Sequence, residues 1–61
     1  MNNVLKRTYR DFEYQLVYDV RSRQWFWIIG EGSGLGNAKN KLEAIIQAEK
    51  WIDEFLKNHE I

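Results

Sequence analysis

Among the residues whose type and spacing could do chemistry, the glycines come first. Gly30, Gly32, Gly34 and Gly36 stand at every second position, just ahead of a helical pattern. Backbone N–H groups of a glycine-rich loop at a helix start can cradle a phosphate. The spacing here does not fit that use. A dinucleotide loop needs G-x-G-x-x-G, and Leu35 stands where the third glycine would be; a Walker loop needs Gly-Lys-Ser/Thr, which is missing. The run therefore reads as a structural connection, with a turn around Glu31-Gly32 and a short, weak edge strand near residues 33–37.

Nucleophilic catalysis needs a base beside the nucleophile. Ser22 and Ser33 fall in loops, and the one histidine, His59, falls at the end of the helical pattern, where it suits the helix dipole. The carboxylates are scattered or lie on a polar helix face, and a sheet with one helix leaves little room for a cleft. Without cysteine there is no disulfide and no thiolate zinc site. The reading is a protein that is not an enzyme, with no cofactor, no metal and no small-molecule substrate.

The nine basic and nine acidic residues cancel, whereas an electrostatically driven nucleic-acid binder usually shows a basic excess. The first half nevertheless leans basic, through Lys6, Arg7, Arg10, Arg21 and Arg23, and the second half leans acidic. No apolar run approaches the roughly 18 residues of a membrane span. Residues 1–7 lack the apolar centre of a signal peptide. The expectation is a soluble cytoplasmic protein forming one small domain over residues 1–61, with no membrane partner. A single core of this size rarely supplies more than about 3–5 kcal/mol, so packing of the aromatics, or oligomerisation, has to stabilise it.

The elements that position these residues follow from hydrophobic period. Residues 1–10 are polar and basic and read as a frayed start that adds at most an edge pairing. From Phe12 to Val20 the even positions are apolar, the period of a half-buried strand with its even face to the core. Trp25-Phe26-Trp27-Ile28-Ile29 is a strand greasy on both faces. The turn between them lacks Gly, Asn and Pro, so a four-residue loop on a type I turn suits it best. That register sets Leu16 opposite Trp27 and Tyr14 opposite Ile29, and turns Val17, Phe26 and Ile28 outward. An odd loop would reverse the faces; either way an apolar pair stays on the far side. Asn40, three residues before Glu43, is placed to cap a helix over residues 41–58. Its apolar face is Leu42, Ile45, Ala48, Ile52 and Leu56, widened by Ala44, Trp51 and Phe55. Glu43, Lys50, Asp53, Glu54 and Lys57 fall opposite, with Asp53 and Lys57 spaced for an i,i+4 ion pair. Ile46 strays onto the polar side. The fold class is α+β, a three-stranded antiparallel sheet with one C-terminal helix on one face.

One helix can cover one face, so the other is available to a partner. A patch of Val17, Phe26 and Ile28 bordered by Arg21 and Arg23 has the composition of a protein-binding hot spot. The occupant is another protein or a second copy of this chain, in an adaptor or inhibitor role. The alternative is nucleic-acid binding through the arginine-tipped hairpin and the sheet. The order of three strands then one helix resembles the small DNA-binding domains of AP2-type factors and integrase arms. Separately, Gly30-Glu31-Gly32-Ser33-Gly34 followed by Lys39, Lys41 and a helix resembles the end of a double-stranded-RNA-binding domain. The first helix of that family is absent here, and Asn40 interrupts the lysine pair. That resemblance implies phosphate contacts for Lys39 and Lys41.

Overall fold

The computed structural model describes residues 4–30 and 32–59. Glu31, expected in the third turn, and the first three residues of the expected frayed start lie outside them. The described elements are β1 (Val4–Tyr9), β2 (Phe12–Asp19), β3 (Gln24–Ile29), β4 (Gly34–Ala38) and α1 (Lys41–Asn58). The strands form one antiparallel sheet in the order β1-β2-β3-β4, an open meander with α1 across one face.

The sheet has four strands, not the three expected. The additional one is β1, which pairs with β2 along its whole length, from Val4 opposite Val17 to Tyr9 opposite Phe12. Its turn, Arg10-Asp11, has two residues with φ of 51° and 69°. A two-residue hairpin turn needs this left-handed pair and normally recruits Asn-Gly for it. Arg-Asp gives no such signal, so polarity alone made the segment look frayed.

The β2–β3 register is the one expected from a four-residue loop. Leu16 faces Trp27, Tyr14 faces Ile29 and Asp19 faces Gln24. The local reason needs correcting. The loop is not free of left-handed backbone, because Arg23 has φ 57° and its N–H donates to the Asp19 carbonyl at 2.8 Å. Asp19 holds the loop further by accepting from the Arg21 N–H at 3.2 Å and the Ser22 hydroxyl at 2.8 Å. Val20, assigned to the core face by its even number, lies in this loop and is 69% exposed.

Tyr14 and Leu16 of β2, Trp27 and Ile29 of β3, Ala38 of β4, and Ala44, Ala48 and Ile52 of α1 form the buried core. Ala44 and Ala48 carry so little side chain that the helix axis can approach the sheet closely. Asn40 caps α1 as expected, its Oδ1 accepting from the Glu43 N–H at 2.8 Å. Leu42 does not join the core, although it fits the helical period; it is 67% exposed. Ile46 points outward, as its position implied.

The glycine run divides into two uses. Gly30 and Gly32 adopt φ of 59° and 102° in the β3–β4 turn. Gly34 and Gly36 lie on the core face of β4, opposite Ile29 and Trp27. There the absent side chain is what matters. A Cβ on Gly36 would stand 2.5 Å from the Trp27 ring, and one on Gly34 2.7 Å from the Trp51 ring. Each glycine is a seat for an indole.

Two substitutions test these seats. Trp27 is buried and Trp51 only partly so, so the first ring has less room to shift. Gly36→Ala is expected to cost about 2–3 kcal/mol, the upper part of the overpacking range, and Gly34→Ala less, as measured by urea unfolding. Equal stability of Gly36→Ala and the parent would remove the seat.

Candidate docking surface

Side chains alternate across a sheet, and cross-strand partners share a face. The core residues therefore fix which residues lie on the far side. Val17 on β2 stands between Val4 on β1 and Phe26 on β3; Phe26 stands beside Asn37 on β4. One pleat along, Gln15 stands between Lys6 and Ile28, and Ile28 faces Leu35. The apolar members form a band running diagonally from Val4 to Leu35 through Val17, Phe26 and Ile28. Val4 and Leu35, at its ends, are exposed; the three middle residues are half-buried by their neighbours. Polar groups border the band. Lys6, Thr8, Glu13 and Gln15 lie on one side, and Asp19, Gln24 and Asn37 on the other, with the Asn37 amide donating to Gln24 Oε1.

The structure thus places Val17, Phe26 and Ile28 together on the face α1 leaves open. Val4 and Leu35 extend that patch and were missed from the sequence. Leu35 carried a signal, as the only large side chain in its strand; Val4 became meaningful only once β1 was a full strand. Arg21 and Arg23 are exposed on the β2–β3 loop, beyond the end of the band rather than around it. Lys39 follows Ala38, which pairs with Trp25, and is therefore level with the base of that loop. Lys41 opens the helix. The four basic residues singled out in the sequence thus share one end of the molecule, and all are exposed.

The opposite flank of α1 carries a polar seam. The Tyr14 ring is buried, and its hydroxyl donates to Glu49 at 2.9 Å while accepting from Arg7 Nε at 3.1 Å. Tyr9 donates its hydroxyl to Asp53 at 3.0 Å, and Arg10 reaches the same carboxylate at 2.8 Å. Asp53, expected to face solvent with Lys57 as its ion partner, instead ties the helix to the β1–β2 turn. The Arg10 guanidinium, through its hydrogen bond, holds the Asp53 carboxyl below the usual range. Burial, then the hydrogen bond to Glu49, raises the Tyr14 hydroxyl. The hydrogen bond to Asp53 raises Tyr9. These groups join the β1–β2 side of the sheet to the helix.

Two shallow grooves follow the β4 side of α1. One of about 210 Å³ lies among Trp51, Glu54, Phe55 and His59; the other, about 260 Å³, lies among Trp27, Gln47, Lys50 and Trp51. Their rings are engaged with one another. Trp51 stacks on Phe55 at 5.3 Å and Phe55 on His59 at 4.1 Å, and the Trp27 indole donates to Gln47 at 2.9 Å. His59 closes the helix with Nδ1 donating to the Phe55 carbonyl at 2.7 Å. It is more constrained than a solvated helix-end histidine. Among the described residues, no group of His, Asp and Glu is arranged to hold a metal ion. No helix among them is long and apolar enough to cross a membrane. Comparison with known protein families, curated proteins and solved structures finds no match to this chain.

The seam sets the pH response. A tyrosine raised in the folded state stabilises the fold fully below its unfolded value, near pH 10, and that contribution is lost as pH rises through the folded value. Asp53, lowered in the folded state, contributes above the ordinary aspartate value, near pH 4, and is lost as pH falls through its depressed one. Tyr14→Phe is expected to cost about 1 kcal/mol at neutral pH, for its two part-exposed hydrogen bonds. It should also flatten the alkaline limb of a thermal-unfolding profile. An unchanged limb would mean the Tyr14 hydroxyl is not held as described.

Proposed function

We propose that this chain is a non-enzymatic binding module of the cytoplasm that docks a protein against the uncovered face of its sheet. The observation that supports this most is the apolar band from Val4 to Leu35, lying open between two polar borders. An apolar centre with a polar rim is the anatomy of a protein interface. Aromatic anchors such as Phe26, flanked by aliphatic neighbours, carry most binding energy where they are desolvated. Covering the band would also add apolar burial to a domain whose own core is small, and a bound partner stabilises the folded state by mass action. An adaptor or inhibitor role fits a module that presents one open apolar face.

One observation favours a second reading. Arg21, Arg23, Lys39 and Lys41 share one end of a molecule whose net charge is zero, beside the start of α1. Phosphate groups of a nucleic acid would suit that end, in line with the DNA- and RNA-binding resemblances. Contacts of that kind would be salt-dependent.

A photo-crosslinking residue at position 26, compared with one at Ile46 on the exposed side of the helix, tests the first reading in the native cell. Adducts of defined mass from position 26, and none from position 46, are expected. No adduct from 26, or the same adducts from both, contradicts it. Gel shift of DNA and RNA probes across a salt series tests the second. Binding that weakens with salt and is abolished by Arg21→Ala with Arg23→Ala would replace protein docking by nucleic-acid binding as the main function.

A further inference from the structure

We infer that β1 is a strap. It lets go of β2 as a unit, hinged at Arg10-Asp11, while β2, β3, β4 and α1 keep their fold. Each release bares the edge of β2 that β1 otherwise covers. The inference does not rest on the docking reading above. Val17, Phe26, Ile28 and Leu35 all belong to the part that stays, and only Val4 leaves the band with the strap.

The first ground is how little β1 gives to the core. The buried core residues come from β2, β3, β4 and α1. Val4 to Thr8 are exposed, and Tyr9, at the turn end, is the β1 side chain that lies against the core. The element β1 packs along is β2. A segment with few buried apolar contacts opens at a fraction of the cost of global unfolding.

The second ground is the hinge. Arg10 and Asp11 have φ of 51° and 69°. A side chain in the left-handed region crowds the backbone, and arginine tolerates this less well than glycine, asparagine or aspartate. The closed turn therefore holds strain that straightening relieves. Opposing release are the ladder to β2, Leu5 paired with Leu16, and the polar ties of Tyr9 and Arg10 to Asp53 and of Arg7 to Tyr14. The Arg10–Asp53 pair is about half exposed, and such ion pairs hold weakly.

The register says which backbone groups release would bare. A two-residue hairpin closes on a hydrogen-bonded pair, here Tyr9 and Phe12, and such pairs alternate along the ladder. Glu13 fits this alternation, because its carbonyl accepts from Gly30 on the β3 side at 3.0 Å. Phe12, Tyr14 and Leu16 therefore bond β1, whereas Gln15 and Val17 bond β3. With β1 away, the first three present a row of N–H and C=O groups, the template on which a strand adds to a sheet edge. In the closed form that added strand is the chain's own β1.

Hydrogen exchange at single backbone amides of the full chain, followed by NMR under native conditions and corrected for intrinsic rates, tests this. The amides of Leu5, Arg7, Tyr14 and Leu16 bond between β1 and β2. They are expected to exchange through one shared opening, roughly tenfold or more as populated as the one that frees Gln15 and Val17. Successive residues of β2 should therefore alternate in protection. Ile52→Val alters a fully buried side chain in the part that stays folded. It should speed exchange at Gln15 and Val17 about threefold or more and leave the other four amides unchanged. Even protection along β2, or equal acceleration of both sets by Ile52→Val, would make β1 part of one cooperative unit and overturn the strap.

Discussion

The contact on which the rest depends is between the Trp27 indole and the bare backbone of Gly36. A side chain at position 36 would occupy the place of the ring. With the glycine there, the ring settles on the core face of β4, bonds Gln47 and lies under the helix. This contact decides the register of β3. With Trp27 inside, Trp25 and Ile29 take the same face, and Phe26 and Ile28 are turned to the other. Large-to-small changes in such a core cost about 2–5 kcal/mol, as much as a domain this small usually possesses. The inward side is therefore not negotiable, and the outward side inherits whatever the sequence has left.

What is left is a band of apolar side chains on a sheet with only one helix. Helix α1 follows β4 and β3, made close by Ala44 and Ala48, and its far flank is tied to the β1–β2 side by polar groups. Tyr9, Arg10 and Asp53 hold the turn, and Arg7, Tyr14 and Glu49 hold the middle. The open face carries both signs of charge, Lys6, Glu13 and Asp19, around an apolar centre.

Much of this was legible in the residues. The alternation from Phe12 to Tyr18 gave β2, the aromatic run gave β3, and the helix with its Asn40 cap was read to the residue. The four-residue loop was the favoured of two registers and is the one observed, though the premise that such a loop needs no left-handed residue fails at Arg23. Residues 1–10 read as a frayed start with an edge pairing because they are polar and basic; Arg10-Asp11 lacks the usual turn residues, and the partner that holds the turn, Asp53, lies far along the chain. Leu42 fits the helical period but is exposed in the first turn of the helix. The glycine run was read as a turn and a short edge strand, which β4 bears out, but a single sequence does not say which ring will rest on Gly34 or Gly36. For the open face, Val17, Phe26 and Ile28 were readable from period two, while Val4 and Leu35 needed the strand order.

The most direct test of this account is amide-type exchange at the three indole N–H groups, followed by NMR in deuterated water. Trp27, buried and bonded to Gln47, should exchange much more slowly than Trp25 at the end of the sheet and Trp51 on the helix flank. If the Trp27 indole exchanged as fast as that of Trp25, the ring would not be seated on Gly36, and the assignment of one covered and one open face would fall with it.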